Sequence, residues 1–152
     1  MSALTQLNFP RFVFRMRLTE NPPKIWDAVR RRWLVLTPEE WVRQHLIRFL
    51  VERGGVPPGN VSQEYPVALS GTAQRADLVV TAGRACWPSA RRRTCRSAGK
   101  YSLRPYGTTA SWRPPYVLIT NGLLHCCSSL DRSTGRYAVV EGLPDLSPFL
   151  GI

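Results

Sequence analysis

No Cys-x-x-Cys pair occurs in the chain, although it holds four cysteines, Cys86, Cys95, Cys126 and Cys127. The usual spacing of a zinc site is therefore missing. Adjacent Cys126 and Cys127 are poorly placed to bond each other, and with no export pattern in view the thiols are expected to be reduced. No apolar run approaches the roughly 20 residues that span a bilayer. No charged-then-apolar-then-small pattern opens the chain, so the expectation is a cytoplasmic protein without membrane contact. Acids are scarce, 10 Asp and Glu against 21 Lys and Arg, for a net charge of +11. Between residues 85 and 114 there are none, while Arg91, Arg92, Arg93, Arg96, Lys100, Arg104 and Arg113 put +7 into that stretch. Such a balance points to an acidic partner, nucleic acid first. Hydrophobic residues make up 43%, ordinary for a globular chain. A length of 152 residues suits a single domain around one core.

What is present reads as alternating elements. RFVFRMRL at 11–18 alternates as a strand with one charged face. IWDAVRRRWLVL at 25–36 reads as a second strand, with a helix as the alternative. Thr37-Pro38-Glu39-Glu40 is a helix start: Thr37 caps, Pro38 suits the first helical position, and Glu40 completes a capping box. Val42, Leu46, Phe49 and Leu50 follow at helical spacing as a buried stripe, with Arg43, Gln44, Arg48 and Glu52 mainly on other faces. Gly54-Gly55 ends the helix. VSQEYPVAL at 61–69 and RADLVVT at 75–81 form a β-hairpin. Residues 85–114 show no period and are expected to be irregular, an unusual length for a loop in so small a domain. Order returns with YVLIT at 116–120, an Asn121-Gly122 hairpin turn, the partner strand LLHCC, and a last strand RYAVVEGL from 136.

LNFPRFVFR at 7–15, LTPEEWVRQHLIRFL at 36–50, RADLVV at 75–80 and PYVLITNGLLHCC at 115–127 together resemble bacterial proteins carrying the N-terminal domain of type I restriction enzyme R subunits. These belong to the PD-(D/E)xK nuclease superfamily. The resemblance covers both sides of the basic segment. It implies an α/β (α+β) restriction-endonuclease-like fold, a central mixed sheet flanked by helices, over one domain spanning 1–152. It also implies DNA as partner and Mg²⁺ held by strand carboxylates, since Mg²⁺ prefers hard oxygen ligands and activates water at a phosphodiester. By the resemblance, Asp77 matches the family Asp, Glu64 an acid on the preceding strand, and Glu40 a helix acid. Plainer roles exist for each: Glu40 as a capping-box residue, Glu64 as a surface residue, Asp77 as a turn cap. His45 and His125 sit among apolar residues and are read as packing groups.

The family's next strand should carry Glu-x-Lys, whose side chains share one strand face. Here stands Cys86-Trp87-Pro88-Ser89-Ala90-Arg91, without an acid and with a proline that disrupts a central strand. Ser89 lies near the lost Glu position. Arg91 lies near the lost Lys position and is a poor substitute for a compact ammonium. Permitted codons for Ala85–Arg91, read two bases along, give Leu-Leu-Ala-Glu-Cys-Lys, and the same shift gives an amphipathic helix segment over 101–109. Residues 85–114 are therefore read as out-of-register coding that has overwritten the central strand and its helix. The expectation is weak Mg²⁺ affinity, no cleavage and a partly stable fold. The alternative is a non-catalytic nucleic-acid-binding module using the basic aromatic segment 91–113, in which Tyr101, Tyr106 and Trp112 stack on bases. Arg75, Arg91, Arg93 and Lys100 are the candidate nucleic-acid contacts.

Overall fold

The computed structural model describes residues 4–69, 72–82, 85–90 and 115–142. The described residues form an α+β fold of two sheets and one α-helix. Strands β1 (Met16–Arg17), β2 (Lys24–Asp27) and β3 (Arg32–Val35) make a small antiparallel sheet in that order. The single strand expected over 25–36 is thus a hairpin. Asp27 is the cause: its Oδ1 accepts from the backbone N–H of Val29 (2.9 Å) and Arg30 (3.0 Å), a side-chain turn that competes with the ladder. Arg31, at φ +53°, completes the reversal, and Trp26 then faces Trp33. The strand expected over 11–18 shrinks to Met16–Arg17. Ahead of it, Phe9, Phe12 and Phe14 lie against the helix, each within 4.7–6.1 Å of the His45 ring centroid.

Helix α1 spans Pro38–Glu52, with Thr37 Oγ1 accepting from the Glu40 backbone N–H at 3.1 Å. The N-cap is as read from the sequence. The capping box is not: the Thr37 N–H donates to Val35 O at 3.0 Å, and the Glu40 carboxylate turns elsewhere. At the other end Gly54 is required, because a Cβ there would sit 2.7 Å from Leu50 O. Arg43 and Gln44, expected on outer faces, are buried, while Leu46, Ile47 and Leu50 enter the core.

After a 3-10 turn at Pro58–Asn60, six strands form the main sheet in sequential order. These are β4 (Val61–Leu69), β5 (Thr72–Ala82), β6 (Ala85–Ala90), β7 (Tyr116–Thr120), β8 (His125–Asp131) and β9 (Arg136–Val140). All neighbours are antiparallel except β6 and β7, which run parallel. The hairpin of β4 and β5 is as read from the sequence, except that β5 starts at Thr72 rather than Arg75 and so pairs Thr72–Gln74 with Val67–Leu69. β6 corrects it: residues 85–90, expected to be irregular, form a strand between β5 and β7, with Pro88 at the register position of Val79. Two flanking ladders outweigh the low strand propensity of Cys-Trp-Pro-Ser. The rest of the basic segment, 91–114, and with it the fate of the expected helix, lies outside the described residues.

The Asn121-Gly122 turn holds four residues rather than two. Asn121 Oδ1 accepts from the N–H of Leu123 (2.9 Å) and Leu124 (2.8 Å). Both leucines are half exposed, and the strand starts at His125. Gly122, at φ +89°, lies where a Cβ would meet Leu7 and Val42 at 2.7–2.8 Å. β9 stops at Val140, short of the strand expected to 143. The core sits between α1 and the main sheet, where Leu46, Ile47 and Leu50 meet Val56, Val61, Leu78, Val80, Leu118 and Cys127. Each such side chain contributes about 1.5–3 kcal/mol on full burial.

Candidate functional site

The β4–β5 ladder pairs Gln63 with Leu78 and Tyr65 with Ala76, and is interrupted at the step between, where Glu64 lies across from Asp77. Glu64 has φ +53°. A left-handed backbone at a residue other than glycine costs of order 1–3 kcal/mol and concentrates at functional sites. Two acids on adjacent strands thus occupy opposing positions where the ladder is interrupted.

Each acid is met by an arginine from another element. Arg30, on the β2–β3 turn, places Nη2 3.3 Å from Glu64 Oε2 and Nε 3.9 Å from Asp27 Oδ2. Arg43, on α1, places Nη2 3.5 Å from Asp77 Oδ1 and Nη1 2.7 Å from Glu40 Oε2. Two amides complete the set. Gln44 Nε2 donates to Glu40 Oε1 at 2.9 Å, and Gln63 Nε2 donates to Asp27 Oδ2 at 2.7 Å. The contacts form two groups that meet only at the Glu64–Asp77 step: one joins the small sheet to β4 through Asp27, Arg30, Gln63 and Glu64, and the other joins α1 to β5 through Glu40, Arg43, Gln44 and Asp77; together they hold four carboxylates and two guanidiniums. Their formal charge is negative inside a chain that is strongly positive. Asp27 is fully buried and Glu40 nearly so, which requires the pairing seen, because an unpaired buried charge is costly. Among the described residues, Arg43 Nε and Gln63 Oε1 are buried without a hydrogen-bond partner, so the cluster is polar beyond what its own members satisfy.

Of the residues singled out from sequence, Asp77, Glu64 and Glu40 all fall in this cluster, with Arg43 joining Asp77 to Glu40. Glu40 serves it by its side chain and the helix start by its backbone. Sequence reasoning missed Asp27, Arg30, Arg43, Gln44 and Gln63. Arg43 and Gln44 were within reach, since positions three and four beyond Glu40 share its helix face. Asp27 was hidden inside an apparently continuous strand. Arg75 lies on β5, described there by its backbone. Arg91, Arg93 and Lys100, with Tyr101, Tyr106 and Trp112, lie outside the described residues.

His45 is buried among aromatic rings, whereas His125 is exposed, held by its hydrogen bonds and an edge contact with Phe9. His45 Nδ1 donates to Trp41 O at 2.9 Å, and burial holds the imidazole below its ordinary range, with that hydrogen bond opposing. His125 Nε2 donates to Asn8 O at 2.9 Å, while Nδ1 accepts from Thr120 Oγ1 at 2.8 Å. Cys126 and Cys127 are free thiols. Burial, aided by neighbouring Cys126, pushes the Cys127 thiol up to about 11, leaving it protonated and unreactive near neutrality.

Mg²⁺ is the metal the resemblance implies. Among the described residues, no group of three or more His, Cys, Asp or Glu is placed to hold a metal ion. Both oxygens of Glu40 are engaged, and arginines stand against Asp77 and Glu64. The arrangement does not fit the multiple free oxygen donors that Mg²⁺ demands. Among the described residues, no helix is long and apolar enough to cross a membrane.

No curated protein and no solved structure matches the chain. A family model described as "Type I restriction enzyme R protein N terminus (HSDR_N)" matches residues 38–144, from the first residue of α1 to beyond β9, leaving the small sheet outside the match. The chain belongs to that type I restriction enzyme R protein N-terminal family.

Proposed function

We propose that the chain is a restriction-endonuclease-like domain of the kind that cleaves DNA phosphodiesters with Mg²⁺ in intact relatives, and that it is catalytically inactive as it stands. The observation that carries this reading is the Glu64–Asp77 step. Two acids oppose each other across a strained break in the ladder, beside a strand, β6, whose sequence Ala-Cys-Trp-Pro-Ser-Ala offers neither Glu nor Lys. A hydrolytic site of this chemistry needs a further carboxylate for the metal and an ammonium for the attacking water. Arginines on the remaining carboxylates favour a closed ion-pair cluster over an open metal site. The buried unpartnered atoms of Arg43 and Gln63 support a site whose original occupant is lost.

The position of β6 also supports out-of-register coding across 85–114. A strand between β5 and β7 stands where Leu-Leu-Ala-Glu-Cys-Lys would be read in the shifted frame. DNA is the partner and the cytoplasm the compartment that this reading implies. The alternative of a binding module built on 91–113 rests on residues outside those described.

A plasmid-nicking assay of this polypeptide with Mg²⁺ or Mn²⁺ should give no product above a metal-free control. Nicking that Asp77→Asn abolishes would overturn the assignment of inactivity. The codons for 88–91 test the frame: they should read Glu-Cys-Lys two bases along, and codons that cannot do so end that part of the account.

A further inference from the structure

The small sheet presents two unlike faces. Side chains alternate along a strand, and the register sets Met16 beside Ile25 and Ile25 beside Leu34 on one face. Ile25 and Asp27 there are fully buried. The other face carries Arg17, Lys24 and Val35 in one row, and Trp26 with Trp33 in the next. Arg15 extends the second row, since the Trp26 N–H donates to Arg15 O at 2.9 Å. The guanidinium of Arg15 lies 5.2 Å from the Trp26 ring centroid and 5.7 Å from that of Trp33. Arg17 lies 4.1 Å from the Trp33 centroid, and the two indoles meet edge to face at 5.4 Å. None of these outward positions is an acid. Residues 11–35 hold seven Arg or Lys against two acids.

We infer that this outward face, Arg15, Arg17, Lys24, Trp26 and Trp33, is a binding platform for single-stranded DNA. Charge selects the partner class, since arginines spaced along a sheet face match consecutive phosphates. The tryptophans select single strands, because only unpaired bases offer flat faces to stack on indole or guanidinium planes. Strands of four residues give a platform about 13 Å long, the scale of a short run of bases. Glu20 pairs with Arg17 at 3.0 Å and with Lys24 at 2.7 Å. Those pairs are exposed and weak, so phosphates can replace that single carboxylate. The platform lies outside residues 38–144 matched to the family, and its grip on a strand needs no catalytic site. The choice of DNA over RNA rests on the nuclease-family reading.

The test uses the full chain in EDTA, so that neither cleavage nor metal enters, with labelled oligo(dT) read by fluorescence anisotropy. Oligo(U), a duplex of equal length and inorganic polyphosphate run in parallel. Oligo(dT) should bind tightest. Trp33→Leu should weaken it about tenfold with the salt slope kept, whereas Arg15→Gln should lower the slope by about 0.7. Trp33→Phe, a milder change to packing, should give a smaller loss in the same direction. Replacing Arg91, Arg92 and Arg93 by Gln should leave the Trp33 effect in place. Arg132→Gln, which removes an exposed cation on the β8–β9 turn, should bind as the parent does, which separates this surface from the chain's general positive charge. Equal binding of duplex or polyphosphate, or parent-like binding by both tryptophan variants, would overturn the platform. Equal binding of oligo(U) would overturn the choice of DNA.

Discussion

The two flanks of α1 are fixed by opposite means. On one flank Glu40, Arg43 and Gln44 are buried and joined by hydrogen bonds of 2.7–2.9 Å, with Arg43 reaching on to Asp77. On the other, Trp41 and His45 meet Phe9, Phe12 and Phe14 ring against ring. An aromatic flank tolerates trimming in proportion to the area lost. An ionic flank does not, because removing one partner strands the other in a low-dielectric interior. Apolar side chains at both Glu40 and Arg43 would serve stability about as well, whereas an apolar side chain at one alone would not.

Breaking the ionic flank should have the largest effect. Arg43→Met should cost about 3–5 kcal/mol in urea unfolding, and adding Glu40→Met should recover most of it. A double change no better than the single one would show that the pair is not coupled. Phe14→Ala, at a half-buried position on the aromatic flank, should cost about 3 kcal/mol, the low end for a phenylalanine, and be insensitive to salt, in contrast to the arginine variant.

Glu64 sharpens the comparison with an opposite sign. Glu64→Gly should relieve the left-handed backbone and raise stability by about 1 kcal/mol. The loss of its partly exposed contact with Arg30 offsets little of this. A melting temperature below that of the parent would contradict a strained residue at this step.

The smallest effect is the pH dependence carried by His45. Its folded pKa lies below the ordinary imidazole value of 6.5 because burial disfavours the imidazolium. Well above pH 6.5 the ring is neutral in both states and its packing is fully available. As pH falls through 6.5 and on through the folded pKa, the unfolded chain binds the proton first and stability drops. His45→Gln should flatten that part of the stability–pH curve. An unchanged slope between the parent and the variant would place the titration elsewhere.

Much of this was legible where local chemistry and tertiary context agree. Thr37 and Pro38 announce α1, and the apolar stripe through Leu46 and Leu50 shows which side it buries. The β4–β5 hairpin is plain from its alternation, and Asp77 and Glu64 stand out as acids on it. The sequence was opaque where a side chain overrides the pattern. Asp27 folds an apolar run into a turn by accepting two backbone N–H groups. Glu40 reads as a capping box, yet its carboxylate finds Arg43 and Gln44 instead. β6 was hidden because Pro88 and the absence of alternation argue against a strand, and only its neighbours on both sides make one.

The central claim is that Glu64 and Asp77 are the surviving half of a divalent-metal phosphodiesterase site. The most direct measurement compares DNA nicking by this chain with nicking by the same chain carrying the shifted-frame reading over 85–114. The account predicts no product from the first and Mg²⁺-dependent nicking from the second, abolished by Asp77→Asn. A folded second protein that fails to nick, or whose nicking survives Asp77→Asn, would contradict it.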